Sequence, residues 1–241
     1  MKTSVATILL GAVTAVALGS AAVQAKDPEP TKTATSLSYK PPMRGAPATR
    51  IGGGSRSAGL ALRLNVLAPG ETGYTTQGKP TIYWFVSQAV EYPMELTITN
   101  NESLQAAVKP LLEISLKPPI KMGIHALRLA DHGIVLKPDV EYQWFVAVVR
   151  NPAQRSNDVI AGGTIKRVPE SDALQAQLKQ SAQAERAAVY AEAGIWYDAI
   201  DQLSTQIGAD GGNRALREQR AALLEQVGLR EAAAYDRGAG G

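Results

Sequence analysis

The chain has 241 residues, with 25 Lys and Arg against 22 Asp and Glu, a net charge of +3 and no Cys. So slight a positive balance gives no argument for nucleic acid or an acidic membrane surface as partner. The missing thiols exclude disulfides, thiolate nucleophiles and Cys-ligated zinc or iron–sulfur centres, and the length suits one large domain or two small ones stabilised by their cores.

Residues 1–25 read as a signal peptide. Lys2 supplies the positive start, Val5 to Leu18 an uncharged apolar stretch, and Val23-Gln24-Ala25 the small residues of a cleavage site. The stretch is short for a membrane span, which needs roughly 20 residues; an uncleaved anchor is the other reading. A lipoprotein needs Cys at the cleavage site, and there is none. Cleavage after Ala25 predicts a periplasmic or secreted protein with no stable membrane insertion. Residues 26–57 are rich in Pro, Thr, Ser, Lys and Gly, lack apolar periodicity, and read as a linker or surface arm.

Residues 58–168 alternate with period two in short runs. The runs cover Leu60 to Val66, Ile82 to Val86, Met94 to Thr99, Leu112 to Leu116, and residues 123–129, 140–149 and 158–167. Within Ile82 to Val86 both alternating sets are apolar, so that strand is expected to be covered on both faces. Turn formers separate the runs: Pro69-Gly70, Asn100-Asn101, Pro118-Pro119, Asp131-His132-Gly133 and Asn151-Pro152. Seven strands with no helix between them predict an antiparallel β-sandwich. The stretch Leu136-Lys137-Pro138-Asp139-Val140-Glu141-Tyr142 has the form L-x-P-x-x-x-Y. It resembles the tyrosine corner of fibronectin type III and immunoglobulin-like domains, which makes Tyr142 and Pro138 structural and Trp144 a core residue.

Residues 169–236 read as helical, and 237–241 as a flexible tail. Glu185-Arg186-Ala187-Ala188-Val189-Tyr190 matches Gln219-Arg220-Ala221-Ala222-Leu223-Leu224 at an offset of 34, the period of tetratricopeptide repeats. Gly194 then matches Gly228, and Ala199 matches Ala233. Helix pairs are predicted over 183–193 with 196–207, and 213–227 with 229–236. Trp196 opens a helix after the Gly194 turn. Chance matching in an Ala-rich segment is the alternative.

Several segments together are distinctive: Arg44 to Arg56, Pro80 to Val86, Tyr142-Gln143-Trp144, Arg155-Ser156-Asn157-Asp158, and Ala193-Gly194-Ile195-Trp196-Tyr197-Asp198-Ala199. In this order and spacing they resemble the bacterial family catalogued as domain of unknown function 928, over about residues 40–230. The resemblance implies an exported protein with an accessory role in the envelope, and it transfers no catalytic residue. Relatives often carry Cys after the Gly-rich run and after the Tyr-x-Trp strand. Here those stretches read Ala58-Gly59-Leu60 and Arg150-Asn151-Pro152.

Little in the chain carries chemistry. Gly52-Gly53-Gly54 is followed by Ser55-Arg56, without the Lys or the helix that a phosphate loop needs, and β-like residues follow where a dinucleotide fingerprint opens a helix. A φ-permissive entry into the first strand accounts for the glycines. The other reading gives Arg44, Arg50 and Arg56 an anionic group to grip. His125 and His132 are too few and too far apart for a metal site. Asp158 is expected to cap a loop or to stand in a binding loop at the sandwich end, and Trp84 to be core. No catalytic residue, metal or cofactor is predicted. The expectation is a non-enzymatic exported protein: an immunoglobulin-like sandwich with a tetratricopeptide-like appendage, binding another envelope protein. A carbohydrate- or small-ligand-binding sandwich is the alternative, and a hydrolase a weaker one.

Overall fold

A computed structural model describes residues 37–42, 50–54, 62–100 and 109–238. The readings placed on residues 1–36, on Arg44 and Arg56 and on the tail beyond 238 lie outside the described residues.

Each of the seven alternating runs contains a strand among its described residues, and two strands join them that the pattern does not announce. In chain order they are β1 (Gly53–Gly54), β2 (Arg63–Val66), β3 (Gly73–Thr75), β4 (Thr81–Val86), β5 (Met94–Asn100), β6 (Leu112–Leu116), β7 (Gly123–Arg128), β8 (Glu141–Val148) and β9 (Val159–Arg167). They pair into two sheets, ordered β1-β2-β4-β7 and β3-β9-β8-β5-β6. Register aligns apolar rows on neighbouring strands: Leu96 lies opposite Val146, Ile98 opposite Trp144, and Val66 opposite Trp84. These residues are buried and belong to one continuous cluster drawn from both sheets.

The expectation of a purely antiparallel β region needs correction. β3 pairs with β9 in parallel, Gly73 opposite Ile165 and Thr75 opposite Arg167. The chain leaves the first sheet at Leu67, turns at Pro69-Gly70 and adds three residues to the edge of the second. Pro69 has no N–H to continue a ladder, so pairing breaks there. The parallel strand is too short to show period-two alternation. Nor does a left-handed backbone explain Gly52: its φ is not positive, and open space lies where a Cβ would stand. Gly53 and Gly54 pair with Leu64 and Arg63.

Five α-helices follow: α1 (Asp172–Gln180), α2 (Arg186–Glu192), α3 (Trp196–Ala209), α4 (Arg214–Gln226) and α5 (Arg230–Gly238). Ser171 caps α1, its side chain accepting the Leu174 N–H at 3.3 Å. The two glycines matched at an offset of 34 occupy like places. Gly194 (φ 77°) and Gly228 (φ 76°) end α2 and α4 in left-handed conformations. The next residue donates back in the same way each time, Ile195 to the Tyr190 carbonyl at 2.9 Å and Leu229 to the Leu224 carbonyl at 2.8 Å. The matched alanines 187 and 221, and 199 and 233, are all fully buried. Between α4 and α5 the buried Arg220 guanidinium grips Asp236 through two bonds of 2.7 and 2.6 Å.

Helix α3 joins the two halves. Trp196 donates its indole N–H to the Leu67 carbonyl at 2.8 Å. The Tyr197 hydroxyl donates to the Thr164 carbonyl on β9 and accepts the indole N–H of Trp144, both at 2.9 Å. The Asp198 carboxylate accepts the Thr76 N–H at 3.2 Å and the Thr76 hydroxyl at 2.7 Å. Tyr83 donates to Asp201 at 2.7 Å, and the Phe85 ring lies 5.4 Å from that of Tyr235 on α5. So β4 is covered on both faces, one row packed between the sheets and Tyr83 and Phe85 beneath helices. Helical and β residues share one cluster of buried side chains.

Candidate functional site

At one end of the β structure the loops after β4 and β8 leave a two-part cleft. Leu62, Val90, Val148 and Val159 give an apolar recess of about 240 Å³, with Ala89, Glu91, Tyr92 and Arg150 at its mouth. A polar extension of about 340 Å³, lined by Arg150, Asn151 and Asn157, opens from it across Tyr92.

The walls are braced. Val90 exchanges two backbone bonds with Ile120, of 2.8 and 2.9 Å, and Val149 donates to the Pro93 carbonyl at 2.9 Å. In the second loop the Asn151 side chain accepts the Ala153 N–H at 2.9 Å, an Asx turn. Arg155 then donates to Asp158 at 2.6 Å and reaches across to Glu95 on β5. These two carboxylates raise the Arg155 pKa, hydrogen bonding to Glu95 contributing most. The contrast with Arg150 is chemical. Arg150 makes no hydrogen bond or ion pair among the described residues, and it stands beside Tyr92, which is 37% exposed.

The residues singled out from sequence fall in three places. Asp158 lies at this end, but its carboxylate is turned inward on Arg155, 1% exposed, with Oδ1 lacking a hydrogen-bond partner among the described residues. Arg50 is no free cation: its guanidinium donates to the carbonyls of Ala68 and Val227, both at 2.8 Å, tying the end of α4 to the β2–β3 connection. Burial lowers its pKa. The remaining residues belong to the frame. The Tyr142 hydroxyl accepts the Lys137 N–H at 3.1 Å. Pro138 bridges to Arg167. Trp84 is buried and stacks on His125, the rings 5.6 Å apart; His125 contacts the Lys121 carbonyl at 2.7 Å. His132 is exposed at the end of a 3-10 turn whose first residue, Leu129, is buried. Reading the sequence did not single out Val90, Tyr92 or Arg150. The usable signal was Glu91-Tyr92-Pro93, an aromatic between turn residues outside any alternating run.

Three titratable groups with raised pKa values lie on α3 or against it. Burial raises the pKa of Asp198 and of Tyr197. Desolvation and the Asp201 carboxylate raise that of Tyr83. Each already has hydrogen-bond partners inside the protein. Among the described residues no three His, Asp or Glu side chains gather in a way that would hold a metal ion, and no helix is long and apolar enough to cross a membrane.

The chain is thus a mixed α/β protein, two sheets and a helical layer around one core. It belongs to the family described as Domain of Unknown Function (DUF928), whose model matches residues 51–236. No curated protein matches it. Among solved structures it is similar to a multi-domain immunophilin from Arabidopsis thaliana, at 10% identity and a TM-score of 0.18, over 82% of this chain and 99% of that one. A likeness that slight carries no argument.

Proposed function

We propose that this is an exported, non-enzymatic binding protein that docks on another envelope protein through the cleft between the loops after β4 and β8. The carrying observation is the pairing of an apolar recess with Tyr92 and an Arg150 that makes no hydrogen bond or ion pair among the described residues. The size of the recess decides what enters. The apolar part, at about 240 Å³, has room for a single apolar side chain, and the adjoining polar part of about 340 Å³, lined by Arg150, Asn151 and Asn157, has room for the polar groups beside it. A partner that inserts an aliphatic anchor and sets a carboxylate on Arg150 fits it. A sugar site would want stacked aromatics, and Tyr92 is the sole aromatic among the lining residues.

The strand order supports an immunoglobulin-like sandwich. β2, β4 and β7 hold the places of A, B and E; β5, β8 and β9 those of C, F and G, with β6 added beside C. Tyr142 stands near the start of the F-like strand. Two residues on, Trp144 fills with a ring the place where antibody domains put a Cys. On this reading the cleft lies between the B–C and F–G loops, the end antibodies use for antigen. The repeated glycine-turned pairs support a tetratricopeptide-like unit of two repeats resting on the sandwich. The signal-like residues 1–25 support export, and N-terminal sequencing that finds Met1 on the mature protein would refute it.

Photo-crosslinking in the native host tests the docking. Tyr92→p-benzoylphenylalanine is expected to give a discrete adduct that disappears when Arg150→Glu is added, while the same group at exposed Met122 gives none. Equal labelling at both positions, or an adduct indifferent to Arg150, would refute the site.

A further inference from the structure

The segment Leu37–Pro42 lies on the helices as a bound peptide does. One side chain reads its backbone: the Gln226 amide oxygen accepts the Tyr39 N–H at 2.8 Å, and its amide nitrogen donates to the Leu37 carbonyl at 2.8 Å. The Lys40 N–H donates to the Ala191 carbonyl near the end of α2 at 3.1 Å. Main-chain bonds of this kind hold an extended segment, and alternate side chains then give selectivity. Leu37 and Tyr39 are buried, while Ser38 and Lys40 are exposed. The Tyr39 ring meets Trp196 edge-on, centroids 4.8 Å apart. Gly194 makes room: a Cβ there would stand 2.7 Å from the Lys40 carbonyl oxygen and 3.5 Å from Pro42.

The occupant is imperfect. The Tyr39 hydroxyl is buried with no hydrogen-bond partner among the described residues. A stranded buried hydroxyl opposes binding, and Phe would supply the same ring without it. Beyond two side chains and three backbone groups, nothing in this Pro- and Lys-rich stretch marks it as core.

We infer that the groove between the α2–α3 turn and the end of α4 is a peptide site for an extended partner segment of pattern Leu-x-aromatic-x-x-Pro, occupied in cis by residues 37–42 until a better segment displaces them. The cleft between the β loops plays no part in this. A tethered occupant competes at an effective concentration on the order of millimolar. The partner must therefore outbind it, and Phe at the aromatic position is the simplest way. Removing the stranded hydroxyl corresponds to about tenfold in affinity.

The test uses the full chain and two labelled peptides, Leu-Ser-Tyr-Lys-Pro-Pro and its Phe counterpart, followed by fluorescence anisotropy. The unmodified chain is expected to bind neither below about millimolar peptide. Leu37→Asp frees the groove; this variant is expected to bind both, the Phe peptide about tenfold more tightly. Adding Gln226→Ala abolishes binding. A folded Leu37→Asp chain that binds neither peptide, or binding that survives Gln226→Ala, overturns the inference. Should Leu37→Asp fail to fold, amide exchange on the unmodified chain decides. Excess Phe peptide is expected to speed exchange at Tyr39 and Lys40 and leave the Leu203 amide unchanged. Rates at Tyr39 and Lys40 that do not respond to peptide make the segment a fixed part of the core.

Discussion

The first turn of α3 and the cleft between the β loops use similar residues to opposite ends. At the α3 seam Trp196, Tyr197 and Asp198 are buried, and each polar group meets a backbone or side-chain partner inside the protein. At the cleft Tyr92 is exposed and Arg150 has no partner among the described residues. A satisfied buried polar group specifies a fold, because leaving it unpaired is costly. An unsatisfied polar group on a braced apolar recess contributes nothing to the fold and is free to meet another molecule. The two regions should therefore respond differently to mutation. Changes at the seam act on stability, and changes at the cleft on capture.

Trp196→Ala tests the seam most severely. It removes a fully buried ring, leaves a cavity between α3 and the sheets, and strands the Leu67 carbonyl. A loss of about 3–5 kcal/mol is expected, read by denaturant unfolding. A loss under about 1 kcal/mol would mean that α3 is not what unites the helices with the sheets.

Asp198 gives the seam a pH signature. Burial holds its carboxyl above the usual carboxylate range despite the bonds from Thr76. The folded chain therefore keeps this proton at pH values where the unfolded chain has lost it. Across that window, above the ordinary Asp value and up to the raised one, the native state binds more protons, so Asp198 lowers stability as pH rises. Asp198→Asn can still accept the Thr76 N–H and can donate to the Thr76 hydroxyl. Its melting temperature is expected to fall less between pH 4 and neutrality than that of the unmodified chain. An unchanged slope would place the proton elsewhere.

Tyr142→Phe is milder. It deletes the acceptor for the Lys137 N–H and leaves the ring in place, so about 1 kcal/mol is expected from the same unfolding curves. This corner is also where the sequence was most informative. L-x-P-x-x-x-Y is local, and its hydrogen bond spans five residues. The alternating strands were legible for the same reason, since period two is a property of neighbours. The glycine turns at 194 and 228 declared themselves by repeating. What stayed hidden was long-range. Nothing near Ile195-Trp196-Tyr197-Asp198 says that these side chains reach Leu67, Thr164 and Thr76, more than 30 residues away. Nothing near Leu37-Ser38-Tyr39 says that Gln226 awaits it; composition alone reads an arm. The cleft was the least legible, because its recess needs Leu62, Val90, Val148 and Val159 from four separate segments. Leu62, Val148 and Val159 look like ordinary core in their own runs, and Val90 falls between two runs.

Arg150→Ala is the smallest change in stability and the sharpest test of the comparison. Arg150 gives up no hydrogen bond or ion pair with the described residues, so its loss should move stability by less than about 0.5 kcal/mol. Arg155→Ala, five residues on, makes a matched control at the same loop. It breaks the bonds to Glu95 and Asp158 and leaves the inward-turned Asp158 carboxylate without its cation, so it should cost more than Arg150→Ala even though surface ion pairs are weak. In the crosslinking experiment the order should invert. Arg150→Ala removes the group that a partner's carboxylate would meet and should weaken the Tyr92 adduct, whereas a residual adduct in Arg155→Ala tracks however much of the folded loop remains. If the two variants lose the adduct in proportion to their lost stability, Arg150 matters only through the fold, and the cleft is no more a binding site than the α3 seam.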